Sequence, residues 1–85
     1  MSEIDRPWDG AAALLDTRGL LCPLPVIRTQ NRIKDLPAGA LLDVVATDPG
    51  TLHDIPAWCR VHGHELVHTE QHNREIWIRV RVLRS

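Results

Sequence analysis

The stretch RGLLCPLPVIR, from Arg18 to Arg28, puts Cys22 directly before Pro23, with Pro25 two positions further on. Proline fixes its own φ and has no N–H to donate, which damages a helix interior but costs little in a first turn. Pro23 and Pro25 therefore read as first-turn residues. Cys22 then stands at or next to the N-cap, where the helix dipole is positive. A thiolate is the nucleophilic form of cysteine, and helix N-termini favour it. The two prolines work against that effect by removing N–H donors, while stiffening the segment that presents the sulfur. The alternative is that Cys22 is a small buried apolar residue, as many cysteines are.

A cysteine hydrolase would need a histidine base. The chain has five histidines, and four of them, His62, His64, His68 and His72, follow one another late in the sequence, where nothing local ties them to Cys22. Sulfur handling needs less. Attack on a disulfide-type sulfur requires an accessible nucleophile and a good leaving thiol. The second cysteine, Cys59, has no motif of its own and is expected to pack inside. Its spacing to His62 also allows a chelate on a helix, so a metal-binding or thiol-redox reading stays open beside an interaction module. No cofactor and no metal are expected.

The bulk of the chain limits the alternatives. Its 85 residues fit one domain with a modest core. A net charge of -1 makes no electrostatic case for nucleic acid as the main partner. No apolar run approaches the length of a membrane span, so no direct membrane contact is expected. The polar opening MSEIDRPWDG lacks a signal-type apolar segment and reads as a flexible tail over 1–10, ahead of a single domain over 11–85. Two cysteines are too few for a disulfide framework, which favours a cytoplasmic location.

The elements that must position Cys22 follow from periodicity. AAALLDT (11–17) reads as a strand, and Gly19 lies in the loop after it, free to take positive φ. A helix is expected from Pro23 to about Leu36, with Val26, Ile27, Ile33 and Leu36 near one side. LLDVVAT (41–47) is a strand and DPG (48–50) a turn. A second helix is capped by Thr51 or Asp54, with Pro56 favouring Asp54 or a distorted first turn, and Gly63 ends it. A strand over 64–70, a turn at QHN (71–73) and a strand over 74–83 complete the chain. In the last strand Ile76, Ile78, Val80 and Val82 alternate with Trp77, Arg79 and Arg81. The second set forms an outer face, read as solvated or, alternatively, as a partner surface. The order β-α-β-α-β-β fits a two-layer α/β sandwich, a mixed four-stranded sheet with both helices on one face and the other face partly wet.

DTRGLLCPLP (16–25) resembles the signature of the TusA-like (SirA/YedF-related) sulfur carriers: Asp, two residues, Gly, two residues, then Cys-Pro-x-Pro. TDPGTLHDIPAWCRVHGHEL (47–66) resembles the second characteristic stretch of that family. The resemblance implies the same two-layer fold. It implies a persulfide carried on Cys22, accepted from a cysteine desulfurase or a rhodanese-like donor. It implies delivery to a relay protein of tRNA thiolation or to a DsrE-like protein of sulfur oxidation. Pro23 and Pro25 are motif residues, and Asp48 falls at the family's acidic loop position. Arg28 and Lys34 put positive charge on the helix after the cysteine.

Overall fold

The computed structural model describes residues 6–8 and 12–83. Six elements follow in the expected order: β1 (Ala13–Thr17), α1 (Leu24–Ile33), β2 (Leu41–Ala46), α2 (Thr51–His62), β3 (Glu65–His72) and β4 (Glu75–Arg81). They form one mixed sheet in the order β1-β2-β4-β3. β1 runs parallel to β2, and β4 is antiparallel to both β2 and β3.

The core lies between the sheet and the helices. Leu42 and Val44 of β2 and Ile76, Ile78 and Val80 of β4 point at Ile33 of α1 and at Ile55 and Cys59 of α2, all buried. The alternation in β2 and β4 sends the neighbouring residues to the opposite face. That face is more covered than a solvated reading expects. Trp77 is only 1% exposed. Trp8 meets its ring edge-on, with centroids 6.3 Å apart. Directly opposite in the β2–β4 register, Arg79 holds the fully buried Asp43 through Nε at 2.7 Å and Nη2 at 2.9 Å. Arg6 adds a third bond to that carboxylate at 2.9 Å. A buried carboxylate is tolerable only when paired in this way. Arg81 keeps to the expected pattern: it is partly exposed and pairs with Glu65. Arg6 and Trp8 fall within the stretch read as a flexible tail over 1–10, of which residues 1–5, 9 and 10 lie outside the described residues.

Several boundaries move for local reasons. α1 stops at Ile33 rather than near Leu36. Its exit tightens into i→i−3 bonds, Asp35 N–H to Arg32 O and Leu36 N–H to Ile33 O. The residue before Pro37 is disfavoured in helical geometry, so the last turn cannot continue as α. The buried positions of α1 are Pro25, Thr29 and Ile33, four residues apart, and Ile27 is exposed, contrary to the expected apolar side. Thr29 can be buried because its hydroxyl donates to Pro25 O at 2.8 Å. α2 starts at Thr51 with Gly50 as N-cap. Neither Thr51 nor Asp54 caps it, and Pro56 is carried inside the helix. At its other end Gly63 takes the left-handed conformation (φ 77°), as expected. The β3–β4 turn is a two-residue one at Asn73 and Arg74, one step later than QHN. Asn73 (φ 57°) supplies the left-handed residue a tight hairpin needs.

Candidate functional site

Because β1 and β2 are parallel neighbours, with Thr17 opposite Ala46, their C-terminal ends open on the same edge of the sheet. The loops that follow them, and the N-termini of the two helices those loops feed, must meet there. That meeting point is where Cys22 lies.

The first loop is built by short bonds. Leu20 N–H donates to Thr17 O, and Leu24 N–H to Leu21 O. Gly19 has φ +81°, and a Cβ placed on it would meet nothing within 4 Å. Glycine is therefore needed for its backbone angle, not for space. Asp16 and Arg18 clamp the loop base: Arg18 Nε and Nη2 donate to the Asp16 carboxylate, and Nη1 reaches Glu75 across the sheet edge. The hydrogen bond from Arg18 holds the Asp16 carboxyl below its usual range.

The second loop then pins the first. Thr47 Oγ1 accepts Gly19 N–H at 2.9 Å. Asp48 Oδ2 accepts Cys22 N–H at 2.7 Å, while its other oxygen accepts Gly50 N–H at 3.0 Å and closes a turn into α2. Those two N–H groups, Cys22 first, hold the Asp48 carboxyl below the usual carboxylate range. From the first turn of α2 comes Asp54. Its Oδ2 lies 2.6 Å from Cys22 Sγ and accepts a hydrogen bond from the thiol.

Cys22 is an exposed free thiol one residue before Pro23, the N-cap of α1, and the Cys22–Pro23 peptide is cis. No side chain caps α1. Pro23 and Pro25 contribute no N–H, and Leu24 N–H is spent on Leu21 O. The helix mouth is thus poor in the donors that would stabilise a thiolate. The hydrogen bond to Asp54 is the main cause that pushes the Cys22 thiol above its ordinary pKa. Desolvation and the charges of Asp54 and Asp48 act in the same direction. Carboxylates rather than N–H groups set the chemistry of this sulfur.

Of the residues singled out in the sequence, the structure gathers Gly19, Cys22, Pro23, Pro25 and Asp48 at one edge. Arg28 is exposed one helical turn beyond the mouth. Lys34 is the C-cap of α1, roughly 15 Å along the axis from its first turn. Asp54 is the site residue that sequence reasoning considered only as a cap. Its signal was topological: a βαβ unit with parallel neighbours brings the first turn of the second helix beside the loop before the first.

Four of the five histidines make their contacts elsewhere. His62 and His64 stack on Trp58, with ring centroids at 4.8 Å and 5.2 Å. His68 and His72 flank Glu70 on β3. Among the described residues, no group of three His, Cys, Asp or Glu side chains is placed to hold a metal ion. Cys59 is 1% exposed, packed in the core as expected, and burial pushes its thiol up to about 11. A cleft of about 500 Å³ lies between Thr47 and Pro49 on one side and Gln71, Asn73, Arg74 and Ile76 on the other, and Cys22 does not line it.

Known proteins are similar to this chain in fold or in sequence. The fold of a SirA-like protein from Desulfitobacterium hafniense superposes with a TM-score of 0.74 at 22% identity, covering 85% of this chain and 99% of that one. The sulfur carrier protein TusA of Pseudomonas savastanoi pv. phaseolicola is 49% identical over 69 residues, 79% of this chain and 82% of that protein. That of Pseudomonas aeruginosa is 51% identical over 59 residues, 69% and 75% of the two chains. YrkF of Bacillus subtilis is 47% identical over 60 residues, which are 71% of this chain but 32% of YrkF. The family model described as sulfurtransferase TusA matches residues 13–82. With nearly all of the described domain inside that match, and relatives about half identical over most of the chain, the protein belongs to the TusA family.

Proposed function

We propose that this protein is a sulfur carrier in which Cys22 takes up a sulfane sulfur as a persulfide and passes it to an acceptor protein. The observation that carries the reading is an exposed, free Cys22 held at the sheet edge by Asp48, within the residues that the sulfurtransferase TusA family model matches. In uptake, Cys22 Sγ forms a bond to the outer sulfur of a donor persulfide. The donor's S–S bond breaks, and its sulfur leaves as a thiolate that takes up the proton lost by Cys22. Delivery is the same exchange in reverse, with an acceptor thiolate attacking the outer sulfur.

The partners of this chemistry are a sulfur donor protein, of the cysteine desulfurase or rhodanese type, and an acceptor of the relay or DsrE-like type. Leu21 (72% exposed), Leu24 and Ile27 surround the cysteine with exposed apolar surface, which supports protein docking at this edge. Pro23 and Pro25 stiffen the presenting segment, so less order is lost on docking. Arg28 lies on the exposed side of α1 close enough to this edge to meet an acidic partner group, and Lys34 would meet one only across a wide interface. We place the exchange in the cytoplasm, where thiols stay reduced. Among the described residues no helix is long and apolar enough to cross a membrane.

The test is intact mass after incubation with a cysteine desulfurase, cysteine and pyridoxal phosphate. A carrier gains one sulfur atom, removable by a thiol reductant and mapped to the Cys22 peptide. A module that only binds partners gains none.

A further inference from the structure

Asp54 lies on the reacting sulfur, yet nothing in the sulfur-transfer step requires an acid there. Two roles are open to a carboxylate at this distance. As a base it would remove the thiol proton during attack. As a guard it would keep the thiol protonated and slow. Magnitudes decide between them. A carboxylate's ordinary pKa lies about 4 to 5 units below that of a thiol, so it is a feeble acceptor for this proton. As a fixed negative charge and hydrogen-bond acceptor, however, it disfavours the thiolate directly. Asp48 adds a second negative charge from the loop before α2, and its own oxygens are already occupied by Cys22 N–H and Gly50 N–H. The helix mouth offers no compensating cluster of donors, since Pro23 and Pro25 lack N–H groups. Geometry and charge therefore agree on the guard.

We propose that Asp54, through its contact with Cys22 Sγ, holds the unloaded cysteine in a guarded state that reacts slowly with small disulfides and oxidants, and that a cationic side chain of the docking donor releases it by pairing with Asp54. An arginine or lysine brought to the carboxylate takes over its hydrogen bond and cancels the charge facing the sulfur. Uptake then proceeds as above, with the Cys22 proton passing through solvent to the donor's departing thiolate. The specificity of the carrier becomes a property of the encounter rather than of the thiol alone. The proposal deepens the sulfur-carrier reading and rests on it only for the part played by the donor.

The experiment compares the wild type with Asp54→Asn, which keeps the side chain's shape and removes its charge. The rate at Cys22 with an uncharged aromatic disulfide is read by peptide mass mapping across pH, and circular dichroism checks the fold. Each unit by which the thiol pKa falls multiplies the thiolate tenfold while its nucleophilicity drops roughly threefold, so the net gain below the pKa is about threefold. The expected result is a gain of about threefold or more near neutral pH, with the pH profile moved downward. An unchanged or slower rate on an unmoved profile overturns the guard and, if slower, establishes Asp54 as a base. Asp48→Asn, which leaves the Sγ contact in place, is the second variant, and its gain should be the smaller. Persulfide uptake from a desulfurase should gain less from Asp54→Asn than the small disulfide does. Equal gains overturn release by the donor. If neither protein takes sulfur from any donor while the small-disulfide arm behaves as expected, the carrier reading fails and the guard stands.

Discussion

The mouth of α1 and the inner stripe of α2 each carry one cysteine, and both thiols sit above their ordinary pKa. At the mouth, Cys22 is exposed and the cause is a neighbouring carboxylate. On the stripe, Cys59 is packed against the sheet and the cause is burial alone. The first cause can be removed by a single charge arriving or leaving. The second yields only when the core opens. Exposure with a reversible restraint suits a residue that must react on demand, and burial suits one that fills space. A raised thiol pKa therefore means little until its cause is known.

The largest expected effect separates the two outright. Cys22→Ser should abolish sulfur loading and leave the thermal unfolding midpoint nearly unchanged, since the site is exposed and the replacement close in shape. Intact mass after desulfurase treatment and a thermal melt check both halves, and a serine variant that still loads would move the carrier function off Cys22.

Alkylation kinetics sharpen the contrast next. In native protein near pH 8, Cys59 should react with iodoacetamide at least about a thousandfold more slowly than Cys22, because its exposure requires an opening that costs roughly 5 kcal/mol or more. The Cys22 rate should climb with pH through a midpoint above the ordinary thiol range. Comparable rates at the two sites would mean that the core of α2 opens far more easily than its packing indicates.

Cys59→Ala should load sulfur normally and lose about 1–2 kcal/mol of stability from the space left behind. It also tests linkage. A thiol whose folded pKa is raised contributes stability that is complete below its unfolded value of about 8.5 and is lost as pH rises toward the folded value; here that is about 11. Wild-type stability should therefore fall across that alkaline window by more than that of Cys59→Ala, as measured by urea denaturation. Loss of loading in a folded Cys59→Ala protein would instead join the two cysteines in one relay.

The smallest effect concerns presentation. Pro25→Ala restores an N–H to the first turn of α1 and loosens the segment. The rate with a small disulfide should rise slightly, less than about twofold, while uptake from a protein donor falls a few-fold. Equal changes in both rates would leave Pro25 no presenting role.

The strand and helix order, the packing of Cys59 and the place of Cys22 at the start of α1 were legible from the chain. Each depends on near neighbours in sequence: the alternation from Ile76 to Val82, the apolar run from Leu41 to Val45, a cysteine beside two prolines at a helix start. The boundaries that moved were decided by competition that periodicity does not record. Pro37 tightened the exit of α1, and Asn73 took the turn that QHN was expected to make. Ile27 remained outside because the docking of α1 favoured Pro25, Thr29 and Ile33.

Two features belonged to the tertiary structure alone. The burial of Trp77 and the partial burial of Arg79 needed Trp8, Arg6 and Asp43, residues far apart in the chain, and alternation in one strand says nothing about what covers its outer face. The contact between Asp54 and Cys22 needed β1 and β2 to pair in parallel, so that two loops and two helix mouths share one edge. Local sequence dictates which residues are nucleophilic and which elements form, because those depend on side-chain chemistry and on periods of two or 3.6 residues. The charge that faces a nucleophile depends on which distant segment the sheet brings beside it, and strand pairing decides that only once the chain has folded.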